Sequence, residues 1–152
     1  VDLQRGWEEV QKAEALEPPT ERERLFVAAA KAFFLEPASP DYWLRIRRWD
    51  EAAARAYAAL PDDPEAAVFH ALALLATAPA DRISREHADR AAEILLRVYA
   101  RNPDHPGAMH YLVHANDVPG RWPSGVPLFN RIQVPPLSAA SSSRPRIGTS
   151  SW

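Results

Sequence analysis

His110 and His114 are the residues of this chain best spaced to do chemistry. Four apart, they share one face of a helix. His105 lies one turn before them and Asp117 one turn after His114. Two helical imidazoles and a third donor are a common way to build a zinc site. His105, His110 and His114 therefore form a candidate metal set, with zinc as the implied cofactor. The pattern is not His-Glu-x-x-His. Tyr111 occupies the first intervening position, so the general base built into that metalloprotease motif is missing. The blander reading is that His110 and His114 are polar side chains that fix packing between neighbouring helices. His70 sits in an apolar run beside Phe69 and reads more readily as a core histidine than a catalytic one. His87 stands in a charged stretch and reads as solvated.

A second constellation is Arg45, Arg47 and Arg48 between Trp43 and Trp49. Interleaved arginine and tryptophan can hold single-stranded nucleic acid by charge and stacking. The competing reading has the helix burying Trp43 and Trp49 and leaving its arginine side wet. Asp50 and Glu51 also cancel much of the local charge, and the formal net charge of −2 draws the molecule toward neither nucleic acid nor an anionic surface. Nucleic acid is accordingly not the expected partner. No Ser-His-Asp order, phosphate loop or dinucleotide glycine motif occurs. Glu8, Glu9, Glu14, Glu21 and Glu23 read as solvated helix charges. Nothing places two carboxylates in one cleft for glycoside chemistry. The residues thus point to a binding protein rather than an enzyme.

The elements that position these residues are helices. Alanine crowds the chain between Ala28 and Ala115 and glycine is scarce there, which favours helix and lets helices approach closely. A first helix is predicted from Leu3 to Glu17, stopped by Pro18-Pro19. Thr20 to Glu23 has the form of a capping box. A second helix follows, with Leu25, Phe26, Ala29, Ala32 and Phe33 on one stripe. Ser39-Pro40 is the expected cap of a third, which carries Tyr42, Trp43, Ile46, Trp49, Ala53, Ala56 and Tyr57. Asp63-Pro64 opens a fourth, apolar nearly all round and so expected to be buried between neighbours. Ser84 caps a fifth, and Pro106 opens a sixth that carries the histidines.

Residues 57–69 and 99–111 share the pattern Tyr-Ala-x-x-Pro-Asp-x-Pro-x-Ala-x-x-aromatic at a constant offset of 42 residues. Self-similarity at such a period marks stacked supersecondary units. No cysteine is present, which excludes disulfides and thiolate metal sites and leaves the compartment open between cytoplasm and periplasm. No apolar run approaches the roughly 20 residues of a membrane span. After Arg121 the character changes. No Asp or Glu follows Asp117, and Pro, Ser and Arg dominate. Residues 1–121 read as a helical repeat domain, and 122–152 as a tail that is either disordered or out of frame.

The segment Trp49-Asp50-Glu51-Ala52-Ala53-Ala54-Arg55-Ala56 and the proline-terminated turns resemble tetratricopeptide-repeat hairpins, although the period here exceeds that family's 34 residues. The extra length is assigned to the Ala78–Ser84 connection. Asn102-Pro103-Asp104-His105-Pro106-Gly107-Ala108-Met109-His110-Tyr111-Leu112-Val113-His114-Ala115 is similar to a motif of longer bacterial tetratricopeptide-like proteins, mostly of unassigned function. Asp62 to Leu74 fits the same group. The resemblance implies an all-α, right-handed stack of about three helix hairpins. It also implies a fragment, since those proteins carry further repeats on both sides and this chain begins at Val1 without an initiator methionine. The implied function is a protein-interaction scaffold whose concave groove takes a peptide or partner helix. Its candidate binding residues are His70, His110, His114 and Asn116. A metal-binding module or metal-dependent enzyme on the histidine-rich helix is the alternative. Self-association through uncapped repeat ends is a third expectation.

Overall fold

The computed structural model describes residues 2–77 and 85–117. These form six α-helices and no strand: α1 (Leu3–Ala15), α2 (Glu21–Phe34), α3 (Tyr42–Ala59), α4 (Pro64–Thr77), α5 (Arg85–Arg101) and α6 (Pro106–Asn116). The expected tail at 122–152, the Ser84 cap and the 78–84 connection lie outside the described residues. Among the described residues no helix is long and apolar enough to cross a membrane.

Local chemistry sets the helix starts. Asp2 caps α1 by accepting from the Arg5 amide. Thr20 and Glu23 form the expected reciprocal capping box on α2. At α3 the expectation is off by two residues: Asp41, not Ser39, accepts from the Leu44 amide. Ser39 Oγ instead accepts from the Asp41 amide, which steers the chain into that cap. Asp63 accepts from the amides of Glu65 and Ala66 at the head of α4. His105 does the same work for α6, accepting from the Ala108 amide at 3.4 Å. Asp63 and His105 are separated by the 42-residue repeat offset, so one structural position is filled by two different acceptors.

Each helix packs on the next, and α4 also touches α6. The core lies between α4, α5 and α6. It comprises Ala67, Val68, Ala71 and Leu74, with Ala91, Ala92, Ile94, Leu95 and Val98, closed by Ala108, Leu112 and Ala115. Leu95 and Leu112 are its largest fully buried side chains. Truncating either to alanine removes about 2–5 kcal/mol of stability. The other end is thinner. Val10 is the buried residue of α1, and α2 buries none of its side chains fully. The stripe Leu25, Phe26, Ala29, Ala32 and Phe33 is half-buried.

Two side chains on α3 reverse the sequence expectation. Trp43 is 43% exposed and Arg45 only 3% exposed. The carbonyls between α2 and α3 explain it. The α2–α3 connection turns through Glu36 at φ 55°, which leaves the carbonyls of Leu35, Glu36, Pro37 and Ser39 facing one point. The Arg45 guanidinium donates to all four. Arg47 is exposed, and Arg48 pairs with Glu36.

Candidate functional site

The α4 helix is not buried all round. Ala66, Ala67, Val68, His70, Ala71, Ala73 and Leu74 are buried, but Phe69 is 41% exposed. Leu72, Leu75 and Ala76 are half-buried. Helical spacing puts Phe69, Leu72 and Ala76 on one face. An apolar stripe therefore runs along the solvent side of α4, and a hollow adjoins each end of it.

The first hollow, about 270 Å³, is lined by Phe26, Ala29 and Ala30 of α2, Trp49, Ala53 and Ala56 of α3, and Ala66 and Phe69 of α4. Five of these eight residues are alanines, whose short side chains leave the space between the three helices unfilled. Phe26 meets Phe69 edge to face at 5.6 Å. The Arg22 guanidinium lies 4.8 Å above the Phe26 ring and pairs with Asp63. Burial opposes ionisation of Asp63. The Arg22 hydrogen bond, the Ala66 and Glu65 amides and the Arg22 charge outweigh it, and hold the carboxyl below its usual range. The rim is thus a fixed ion pair beside an apolar cleft.

The second hollow, about 300 Å³, is lined by Leu72, Leu75 and Ala76 of α4 with His114 and Asp117. His110 and His114 are both exposed, with their Nε2 atoms 3.1 Å apart. Two other hollows are edged by charged residues, several of them already paired. One, of about 380 Å³, lies where α4 and α5 meet the 61–64 turn, and there Arg101 pairs with Asp62. The other, of about 460 Å³, lies at the α1–α2 turn, where Arg24 donates to the Pro18 and Pro19 carbonyls.

The structure brings together only part of the expected site. His110 and His114 meet as the spacing requires. His105 does not join them. Its Nδ1 accepts from the Ala108 amide, so the ring proton of the neutral form sits on Nε2, 3.4 Å from Glu65 Oε1. Nδ1 caps α6 and Nε2 is buried without a hydrogen-bond partner among the described residues, so His105 stands apart from the exposed pair. Among the described residues no group of three His, Cys, Asp or Glu is placed to hold a metal ion. Asn116 donates to the Leu112 carbonyl of its own helix and is half-buried.

His70 takes the core position that its apolar run suggested. It is buried and stacks on Tyr57 of α3, with ring centroids 5.6 Å apart. Its Nδ1 is 3.7 Å from Asp50 Oδ1, and neither atom has a hydrogen-bond partner among the described residues. Burial lowers the His70 pKa, and the Arg90 charge lowers it further. Burial also raises that of Asp50, against the attraction of His87 and Arg90. The pair is driven toward its neutral forms. His87 is half-buried rather than solvated, with Nδ1 3.2 Å from Thr77 Oγ1.

Phe26 and Phe69 are the site residues that sequence reasoning missed. Phe26 signalled only its place on the α2 stripe, and Phe69 only an aromatic at the repeated position of an already apolar helix. That position is Phe69 in the first copy and Tyr111 in the second. Compared with protein-family models, curated proteins and solved structures, the chain finds no match in any of the three.

Proposed function

We propose that this chain is a tetratricopeptide-like interaction scaffold, a right-handed stack of helix hairpins, in which α2, α4 and α6 line a groove for an apolar peptide or partner helix. The observation that carries this reading is the exposed Phe69, set beside Phe26 over an alanine-lined cleft. An exposed aromatic at the edge of unfilled apolar space is poised to bury an incoming side chain. Full burial of one Leu or Phe contributes about 1.5–3 kcal/mol. The cleft's 270 Å³ is below the range of about 300–1,000 Å³ typical of small-ligand pockets, which favours a single anchor side chain over a whole small molecule. The α4 stripe, leading from this cleft to the one beside His114, supports more than one anchor at helical spacing along a partner helix.

Peptides selected from a random displayed library on the full chain test this. The expected ligands carry apolar anchors three or four residues apart and perturb α2 and α4 amide resonances. They lose at least tenfold affinity, about 1.4 kcal/mol, on Phe69→Glu. Phe69 is exposed enough for that change to leave the fold intact. Ligands that bind the Phe69→Glu protein as well as the parent would refute the groove.

A further inference from the structure

From the His110–His114 geometry we infer a site for one borderline transition-metal ion, Zn²⁺, Ni²⁺ or Cu²⁺, held by two imidazole nitrogens on the exposed face of α6. The inference goes beyond the groove reading and does not depend on it. It also differs from the three-histidine set, because His105 plays no part.

The two Nε2 atoms stand 3.1 Å apart and the ring centroids 4.8 Å apart. Imidazole binds zinc at about 2.0–2.1 Å. Two such bonds meeting at between about 90° and 110° separate their nitrogens by roughly 2.9–3.4 Å. The observed separation falls within that span, so one ion fits without moving either ring far. Without an ion, one ring must donate its Nε2 proton to the lone pair of the other. With an ion, both Nε2 lone pairs turn to the metal and both ring protons sit on Nδ1. No net proton is released from the neutral pair, only a tautomer changes.

The surroundings suit an ion. Both rings are exposed, so the ion keeps water on its remaining positions. His114 lines the 300 Å³ hollow with Asp117, which adds a negative charge on that side. The rings sit in the second and third turns of α6, beyond the reach of the Pro106 end and its positive dipole. Imidazole and water as donors match Zn²⁺, Ni²⁺ and Cu²⁺ rather than Mg²⁺ or Ca²⁺.

The test is calorimetric titration of Ni²⁺ and Zn²⁺ into the tag-free full chain, beside His110→Ala and His114→Ala. Both substitutions are at exposed positions and should leave the fold in place. Saturable binding at one ion per chain is expected. It should weaken at least about tenfold on either substitution, the lower edge of what loss of a supporting partner costs. It should also weaken on acidification, because protons compete with the ion for the imidazole lone pairs. The ring ¹⁵N resonances of His110 and His114 should shift together to the Nδ1–H tautomer on adding Zn²⁺. Absence of saturable binding, or binding that survives both substitutions, overturns the site. Saturation at half an ion per chain also overturns it, in favour of an ion shared by two chains.

Discussion

Arg45→Met should lower stability by about 3 kcal/mol, and the structure shows where that figure comes from. The guanidinium is buried, and its partners are the carbonyls of Leu35 at 3.2 Å, Glu36 at 2.9 Å, Pro37 at 3.4 Å and Ser39. A hydrogen bond to a charged group contributes about 1.5–3 kcal/mol. Discounting the long Pro37 contact leaves three, or a gross of about 5–9 kcal/mol. Burying the charge beside carbonyls alone costs several kcal/mol. The difference is about 3 kcal/mol. Methionine keeps an apolar stem of similar reach, so the loss is not one of packing. Lysine keeps the charge but reaches only part of the fan of carbonyls, and Arg45→Lys should cost about half as much.

The assay is urea unfolding of the three proteins. With a slope of about 2 kcal/mol per molar, the midpoint of Arg45→Met should fall by about 1.5 M. The α2–α3 connection sets the angle between two helices that line the Phe26–Phe69 cleft. Peptide affinity there should therefore drop with the same substitution. A methionine variant within about 0.5 kcal/mol of the parent would refute the reasoning, since the carbonyls would then find water as good a partner.

Three further outcomes are expected. Gly6→Ala should destabilise by about 1 kcal/mol, because the added Cβ would lie 2.1 Å from Cε1 of Phe34. Overpacking of about 1–3 kcal/mol exceeds the helix gain of about 1 kcal/mol. A higher urea midpoint would show that the Phe34 ring moves aside freely. Glu17→Gly should stabilise by about 0.5–1 kcal/mol, since Glu17 holds φ 49° just past the end of α1, where glycine is unstrained. An unchanged or lower melting temperature would count against this. His70 should make stability pH-dependent. Its folded pKa is lowered, so the unfolded chain takes the proton first. The contribution of neutral His70 is complete above the unfolded value of about 6.5 and is lost as pH falls toward the folded value. Its slope is at most about 1.4 kcal/mol per pH unit. Asp50 has the opposite sign at lower pH. Its raised folded pKa means stability falls as pH rises from the unfolded value of about 3.9 toward the folded one. His70→Gln should flatten the wild-type fall between about pH 7 and pH 5 in urea titrations. Equal slopes for the two proteins would remove His70 as the cause.

The helices, and the capping box at Thr20 and Glu23, were legible because their signals are local. Proline positions, cap residues and 3.6-residue periodicity act within a turn or two of chain. The repeat offset also carried real information, since it aligns the starts of α4 and α6. His110 and His114 were legible as a pair for the same reason: spacing along one helix places both rings.

The misread positions all depend on a second element. Arg45 looked wet because periodicity ranks a residue by its side chain, while its burial is decided by carbonyls six to ten residues away. His105 looked like a ligand, but its ring is buried and its Nδ1 caps α6. His70, open to both a core and a groove reading, is buried against Tyr57. Phe69 looked like core, on a helix with no polar face to turn outward. What the sequence determined by itself is the helical character of the described residues, most of their helix starts, one repeated unit and one imidazole pair, since each follows from neighbours along the chain. Tertiary structure decided which face of α4 stays open, which histidines remain free to bind and where a cleft lies. Those follow from how α2, α3 and α6 approach α4, and no short-range pattern encodes that approach.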